Sequence, residues 1–252
     1  MTGERAEDRS VLAIGGPDRL HFLQGLITSD VAGLEAGPVY AALLTPQGKY
    51  LVDFLLIPDG ARILLDVKSD HAPDLIKRLS LYKLRADVTI ERTDLHVTRG
   101  LGDPPAGAVA DPRDPALGWR AYGPAEGAAP EIDWDRIRVA HCIPETGIEL
   151  VPGETFILEA GFERLGGVDH RKGCYVGQEV TARMKHKTEL RKGFVTVELD
   201  GPAVPGDEIM AGDKPAGRLF TVADGHAIAY LRFDRARGAE LTAGAARLRW
   251  PG

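Results

Sequence analysis

Only two cysteines, Cys142 and Cys174, occur in the 252 residues. Two thiols make no disulfide framework. A cluster of iron and sulfur usually takes about four protein ligands, so the chain is not expected to hold one alone. The seven histidines are scattered, with no HExxH and no paired CxxC, and a zinc site built from this chain alone is not expected. No Walker loop and no GxGxxG pattern is present, which leaves nucleotide-driven chemistry without support. No run approaches the roughly 20 apolar residues that cross a bilayer. Met1 to Ser10 is polar and charged where a secretory signal needs an apolar centre. The expectation is therefore no membrane partner and a cytoplasmic address.

What is present reads as an ordinary soluble protein, 44% hydrophobic and 27% charged, long enough for one extended domain or two unequal ones. A net charge of −6 argues against a general nucleic-acid binder. Its distribution says more. Arg171, Lys172, Arg183, Lys185, Lys187, Arg191 and Lys192 face only Glu179 and Glu189 within one short segment. Such an island on an acidic chain suits an anionic ligand, or is simply a solvated helix face.

Val11 to Ile14 reads as a buried strand, and Pro17-Asp18 opens a helix that runs to about Thr28-Ser29-Asp30. Val39 to Leu44, Tyr50 to Ile57 and Arg62 to Val67 predict a three-strand meander with turns at Pro46-Gln47-Gly48 and Asp59-Gly60. Asp70 to Leu84 predicts a helix, and Asp87 to Glu91 and His96 to Thr98 predict strands, an α+β mixture. Residues 100–130 are broken by prolines and glycines and read as a long surface connection, with Trp119 to Tyr122 a short strand at most. Asp133 starts a helix through Ala140. After Lys192, short β-rich runs alternate with Gly/Pro turns, as in a small β-barrel or sandwich. The expected division is 1–188 and 189–252.

The densest reactive cluster is Arg171-Lys172-Gly173-Cys174-Tyr175-Val176-Gly177-Gln178-Glu179, followed by Arg183. Cations two and three positions before Cys174 would favour its thiolate, a nucleophile or soft metal ligand. Gly173 and Gly177 would let the backbone turn sharply or approach a ligand. A helix starting at Gln178 or Glu179 would aim free N–H groups at an anion and set Glu179 one turn from Arg183. The competing reading is packing, the commonest fate of a free cysteine. For Cys142, within Val139-Ala140-His141-Cys142-Ile143, packing is the expectation.

Lys172-Gly173-Cys174-Tyr175-Val176-Gly177-Gln178-Glu179 with Arg183 resembles the KGCYxGQE…R signature of the YgfZ family. Phe22-Leu23-Gln24-Gly25-Leu26-Ile27-Thr28-Ser29-Asp30-Val31 is similar to its FLQGxxTNDV segment, and Thr45-Pro46-Gln47-Gly48-Lys49 to its TPxG(K/R) turn. Gly217-Arg218-Leu219 and Ala227 to Arg232 resemble its C-terminal ending. The resemblance implies an α+β, aminomethyltransferase-like folate-binding region, bilobed, with a C-terminal β-barrel around a central channel. It implies tetrahydrofolate as ligand and iron–sulfur assembly or client proteins as partners, with transfer RNA modification affected indirectly. Cys174 would then act on a cluster, a persulfide or a client thiol, as one ligand of a shared site. Asp30, Glu159, Lys172, Gly173, Tyr175, Gly177, Gln178, Glu179 and Arg183 are the expected folate or anion contacts. Asp30 serves equally well as a cap of the following turn, and Glu159 as half of a surface ion pair.

Two alternatives compete. A tetrahydrofolate-dependent aminomethyltransferase would carry Glu within an R-x-E-A-G helix, but Ala140 stands there. It would also tend to have paired acids where Val52 precedes a single Asp53. Missing carboxylates leave ligand donors unpaired, at about 1–3 kcal/mol each, so a conventional enzyme is not expected. Direct transfer RNA binding through the basic island lacks an interleaved aromatic platform.

Overall fold

The structure, a computed structural model, describes residues 3–186 and 189–252. The chain forms two compact units, one of Met1–Ile132 with Glu163–Glu179, the other of Asp133–Phe162 with Val180–Gly252.

In the first unit β1 (Glu4–Arg5), β2 (Arg9–Gly15) and α1 (Arg19–Gln24) come first. β3 (Val39–Leu44), β4 (Tyr50–Asp59) and β5 (Arg62–Lys68) form the expected meander. α2 (Ala72–Lys83), β6 (Thr89–Arg92), β7 (His96–Gly100), β8 (Val109–Ala110) and β9 (Trp119–Gly123) follow. One sheet has the order β3-β4-β5-β2-β6 and the other β1-β7-β9-β8. Leu75 and Leu79, one turn apart on α2, pack with Leu12, Ile14, Phe54, Leu56 and Leu65 in one core. Each such side chain contributes about 1.5–3 kcal/mol by leaving water.

α1 ends at Gln24, earlier than the apolar spacing suggests. Ile27 instead bridges to Leu43, and Thr28 Oγ1 accepts from Ala42 N at 2.8 Å while donating to the Gly167 carbonyl at 2.6 Å. Pairing at the β3 edge replaces another helical turn.

The stretch 100–130 is also more than a surface connection, because it contributes β8 and β9. Trp119, Arg120 and Asp111 are all buried. The Arg120 guanidinium donates to Asp111 at 2.8 Å and to Asp66 on β5 at 3.1 Å. Arg9 Nε reaches Asp66 at 2.6 Å, and Arg113 pairs with Asp111 at 2.8 Å. A charge network thus ties the second sheet to the first.

In the second unit α3 (Trp134–Ala140) precedes the barrel. The division between units falls inside α4 (Gln178–His186), after Glu179. β10 (Lys192–Asp200), β11 (Glu208–Ala211), β12 (Lys214–Ala223), β13 (His226–Arg232), α5 (Phe233–Ala236), β14 (Leu241–Ala243) and β15 (Ala246–Arg249) complete it. The six strands close in the order β10-β13-β12-β11-β14-β15. Closure leaves no free sheet edge. The unit that holds the barrel also includes Asp133–Phe162, which the expected division assigns to the first region. Arg138 explains the attachment: it donates to Glu149 at 3.1 Å and to Thr221 Oγ1 on β12 at 3.0 Å. Lys187 of the basic island and the expected boundary residue 188 lie outside the described residues. No described helix is long and apolar enough to cross a membrane.

Candidate functional site

Cys174 is exposed, in the loop that leads into α4. Lys172 fixes that loop. It is 6% exposed, and its Nζ donates to the carbonyls of Gln24 at 2.8 Å, Ile27 at 2.6 Å and Ser29 at 3.0 Å. An ammonium has three N–H donors, and all three are engaged. Tyr175 is buried too, its ring centroid 5.2 Å from Lys172 Nζ. The neighbours on either side of Gly173-Cys174 therefore anchor inward while the sulfur stays outside. Lys172 and Tyr175, expected as ligand contacts, anchor the loop, and the Lys172 donors are taken by backbone carbonyls. The cation that remains outward beside Cys174 in sequence is Arg171, its side chain 94% exposed and 3.7 Å from Asp169.

Burial lowers the Lys172 pKa from 10.5 to about 8, against the opposing pull of Asp30 and Asp169. The unfolded chain holds this proton more tightly than the folded one, so stability rises as pH climbs from about 8 to 10.5. Lys172→Met should abolish that rise and lower stability at pH 7 by about 2–4 kcal/mol, because carbonyls lose their donor. Urea unfolding across this pH range measures both.

Gly177 meets a real backbone requirement. Its φ is +86°, and a Cβ there would lie 2.6 Å from the Thr45 carbonyl oxygen in the β3–β4 turn. Gly173 has open space around it. Gln178 opens α4 and donates its backbone N–H to Tyr175 O at 3.2 Å. Glu179 and Arg183 stand one turn apart on that helix, both exposed.

The residues just ahead of Cys174 line a cavity of about 770 Å³ in the first unit, with Asp169, His170 and Arg171 meeting Ser29, Asp30 and Tyr40. Asp30 takes the capping role, with Oδ1 accepting from Ala32 N at 2.9 Å at the start of a 3-10 turn, and the residue also lines the cavity. Asp169 Oδ1 accepts from Arg171 N at 2.7 Å, and His170 Nε2 lies 3.0 Å from Glu163 Oε1. Sequence reasoning missed Asp169 and His170, whose signal was only their position before the signature.

Other carboxylates are engaged elsewhere. Asp53 accepts from Tyr40 OH at 3.1 Å and Tyr50 OH at 2.7 Å, one on each oxygen. Burial, then the Asp53 charge, raises the Tyr40 hydroxyl well above its usual pKa. Glu159 belongs to the second unit. Its Oε2 accepts from Tyr230 OH at 2.6 Å and its Oε1 lies 3.9 Å from Lys192 Nζ. This is an internal pair, with Glu159 only 8% exposed. Ala140 ends α3, exposed and without a carboxylate. Cys142 is half-buried with φ 48°, just past that helix. Among the described residues no group of three or more His, Cys, Asp or Glu converges as a metal site.

The family model described as the CAF17 C-terminal β-barrel domain matches residues 191–251, the barrel itself. The iron–sulfur cluster assembly factor IBA57 of Mus musculus is 33% identical, aligned over 93% of this chain and 78% of the mouse protein. The chain belongs to the IBA57 family. The Homo sapiens IBA57 factor is 30% identical over the same shares of both chains. The Neurospora crassa IBA57 homologue is 30% identical over 79% of this chain, which spans only 55% of that longer relative. All three relatives are named mitochondrial. Among solved structures, the glycine cleavage system aminomethyltransferase T of Bartonella henselae superposes with a TM-score of 0.75. It covers 98% of this chain and 85% of its own, at 14% identity. The IBA57-family chain thus has an aminomethyltransferase-like fold with a closed six-strand barrel.

Proposed function

We propose that this chain supports the assembly or repair of iron–sulfur proteins through Cys174, as a folate-binding, YgfZ-like member of the IBA57 family. The observation that carries the reading is the exposed sulfur on a loop anchored by Lys172 and Tyr175. A thiol outside the packing, held in place from both sides, is placed to meet a second macromolecule. One thiolate supplies one ligand, so any cluster is shared with an assembly or client protein. Effects on transfer RNA modification then follow from iron–sulfur enzymes, and the proposed site of action is the cytoplasm.

The cavity in the first unit fits tetrahydrofolate in kind. Its volume lies within the roughly 300–1,000 Å³ of small-molecule sites. Asp30 and Asp169 would accept from the pterin's amino groups, and the outward Arg171 would meet the anionic tail. Bound folate would supply one-carbon chemistry. The carboxylates that aminomethyl transfer needs do not fit, because Asp53 is occupied by two tyrosines and Ala140 carries none. Titration with tetrahydrofolate should give saturable binding that weakens about tenfold or more in Asp30→Asn/Asp169→Asn. Unchanged affinity in that variant would remove the folate from this cavity. A parallel titration with transfer RNA at two salt concentrations should show no steeply salt-dependent complex.

A further inference from the structure

The end of α2 carries an apolar and basic surface that the first unit leaves uncovered. Ala72, Leu75 and Leu79 turn one side of this helix into the core. Leu81 follows Leu75 by six residues, which at about 100° per residue places it on the far side. It is 69% exposed, Tyr82 is 42% exposed and Leu84 is 89% exposed. Three of the seven exposed large hydrophobic side chains among the described residues thus fall within positions 81–84, so they form a patch and are not scattered.

Lys77, Arg78, Lys83 and Arg85 lie among them, and Asp87 is the only acid between 77 and 87. None of these four cations makes an ion pair or side-chain hydrogen bond among the described residues. On a chain of net charge −6, an unpaired basic cluster runs against the overall sign. Leu84 adds an independent sign. It has φ 45° and ψ −103°, a conformation easy for glycine and costly for leucine. No core packing repays that cost, since the side chain stands in solvent. The turn it sits in is closed by Ala86 N donating to the Lys83 carbonyl at 2.8 Å, which holds the leucine outward.

We infer that Leu81, Tyr82 and Leu84, ringed by Lys77, Arg78, Lys83 and Arg85, dock a partner protein whose own face is apolar at its centre and acidic at its rim. Charge decides the class of partner. A second copy docking by the same face would bring like charges together. An acidic rim supplies the missing counter-charges while leaving them hydrated, which favours encounter and correct orientation. The surface shares no residue with the loop that carries the thiol, so the proposal stands whether or not Cys174 acts as proposed above.

The test takes the full chain and three probes. These are a synthetic helical peptide with leucines on one face and glutamates on the rest, the same peptide with lysines for glutamates, and phosphatidylglycerol vesicles. The glutamate peptide should bind and protect the amides of residues 77–86 from hydrogen exchange. Its affinity should fall at least about tenfold in Lys77→Glu/Arg85→Glu and in Leu81→Ala/Leu84→Gly. It should also weaken as salt rises from about 50 to about 500 mM. Leu84→Gly alone should raise Tm by about 2–4 °C by relieving strain while weakening binding, a combination that a purely structural leucine would not give. Four outcomes overturn the proposal. They are no binding, equal binding of both peptides, preference for vesicles over the glutamate peptide, and self-association abolished by the same variants.

Discussion

Cys174→Ser should leave the protein folded and as stable as the parent, while iron–sulfur enzyme activities in cells fall to the level seen without the protein. Both halves follow from the loop. The sulfur is exposed, so exchanging it for oxygen disturbs no packing and stability should shift by less than about 0.5 kcal/mol. Lys172 and Tyr175 keep their partners and the loop keeps its path. What changes is the chemistry of one atom, from a soft, polarizable thiolate to a hard hydroxyl that is a poor ligand for iron or a persulfide. Cys142→Ser is the control. That cysteine is half-buried beyond α3 in the other unit, and its variant should retain full cellular activity. Full activity in Cys174→Ser would show that the thiol is not used, and would leave the family's scaffold working through other residues.

The thiol was legible in the sequence, because Gly173, Gly177 and the cations mark out a short contiguous motif. Its support was not. Lys172 looked like an activating cation, yet its acceptors are the carbonyls of Gln24, Ile27 and Ser29, 143 to 148 residues away. Spacing along the chain carries no record of such a partner. The meander was legible for the opposite reason: its alternation and its turns are local. Residues 100–130 hid β8, and showed β9 only as a possible short strand at Trp119 to Tyr122, because prolines and glycines punctuate the segment. What ties them in is the buried Arg120, paired with distant Asp66 and with Asp111. The barrel showed as short β-rich runs between Gly/Pro turns. β11, β14 and β15, of four, three and four residues, are too short to display a clear period. Glu159 and Asp53 showed as carboxylates but gave no hint that tyrosines already occupy them.

Asp66→Ala should be the most damaging single change to stability in the first unit, costing about 3–5 kcal/mol. The Asp66 side chain has no exposure, and it accepts from Arg9 at 2.6 Å, Arg120 at 3.1 Å and Tyr122 OH at 3.0 Å. Its removal leaves two largely buried guanidiniums short of counter-charge, which costs more than the intact pair ever gains. A loss of that size takes a large share of the roughly 5–15 kcal/mol that holds a domain together. Coupling should be visible in urea unfolding. Asp66→Ala/Arg120→Met should cost less than the two single changes added, since the second removes a charge that the first has stranded. Acid should act on the same network through Asp111. Burial alone would raise this carboxyl, but Arg113 and Arg120 together hold it well below the usual carboxylate range. Its contribution is therefore complete above the ordinary value of 3.8 and is lost as pH falls below it. Asp111→Asn should flatten the acid limb of the stability profile. A cost below about 1 kcal/mol for Asp66→Ala, in the range of a surface ion pair, would mean that the two sheets of the first unit are joined by apolar packing and not by these charges.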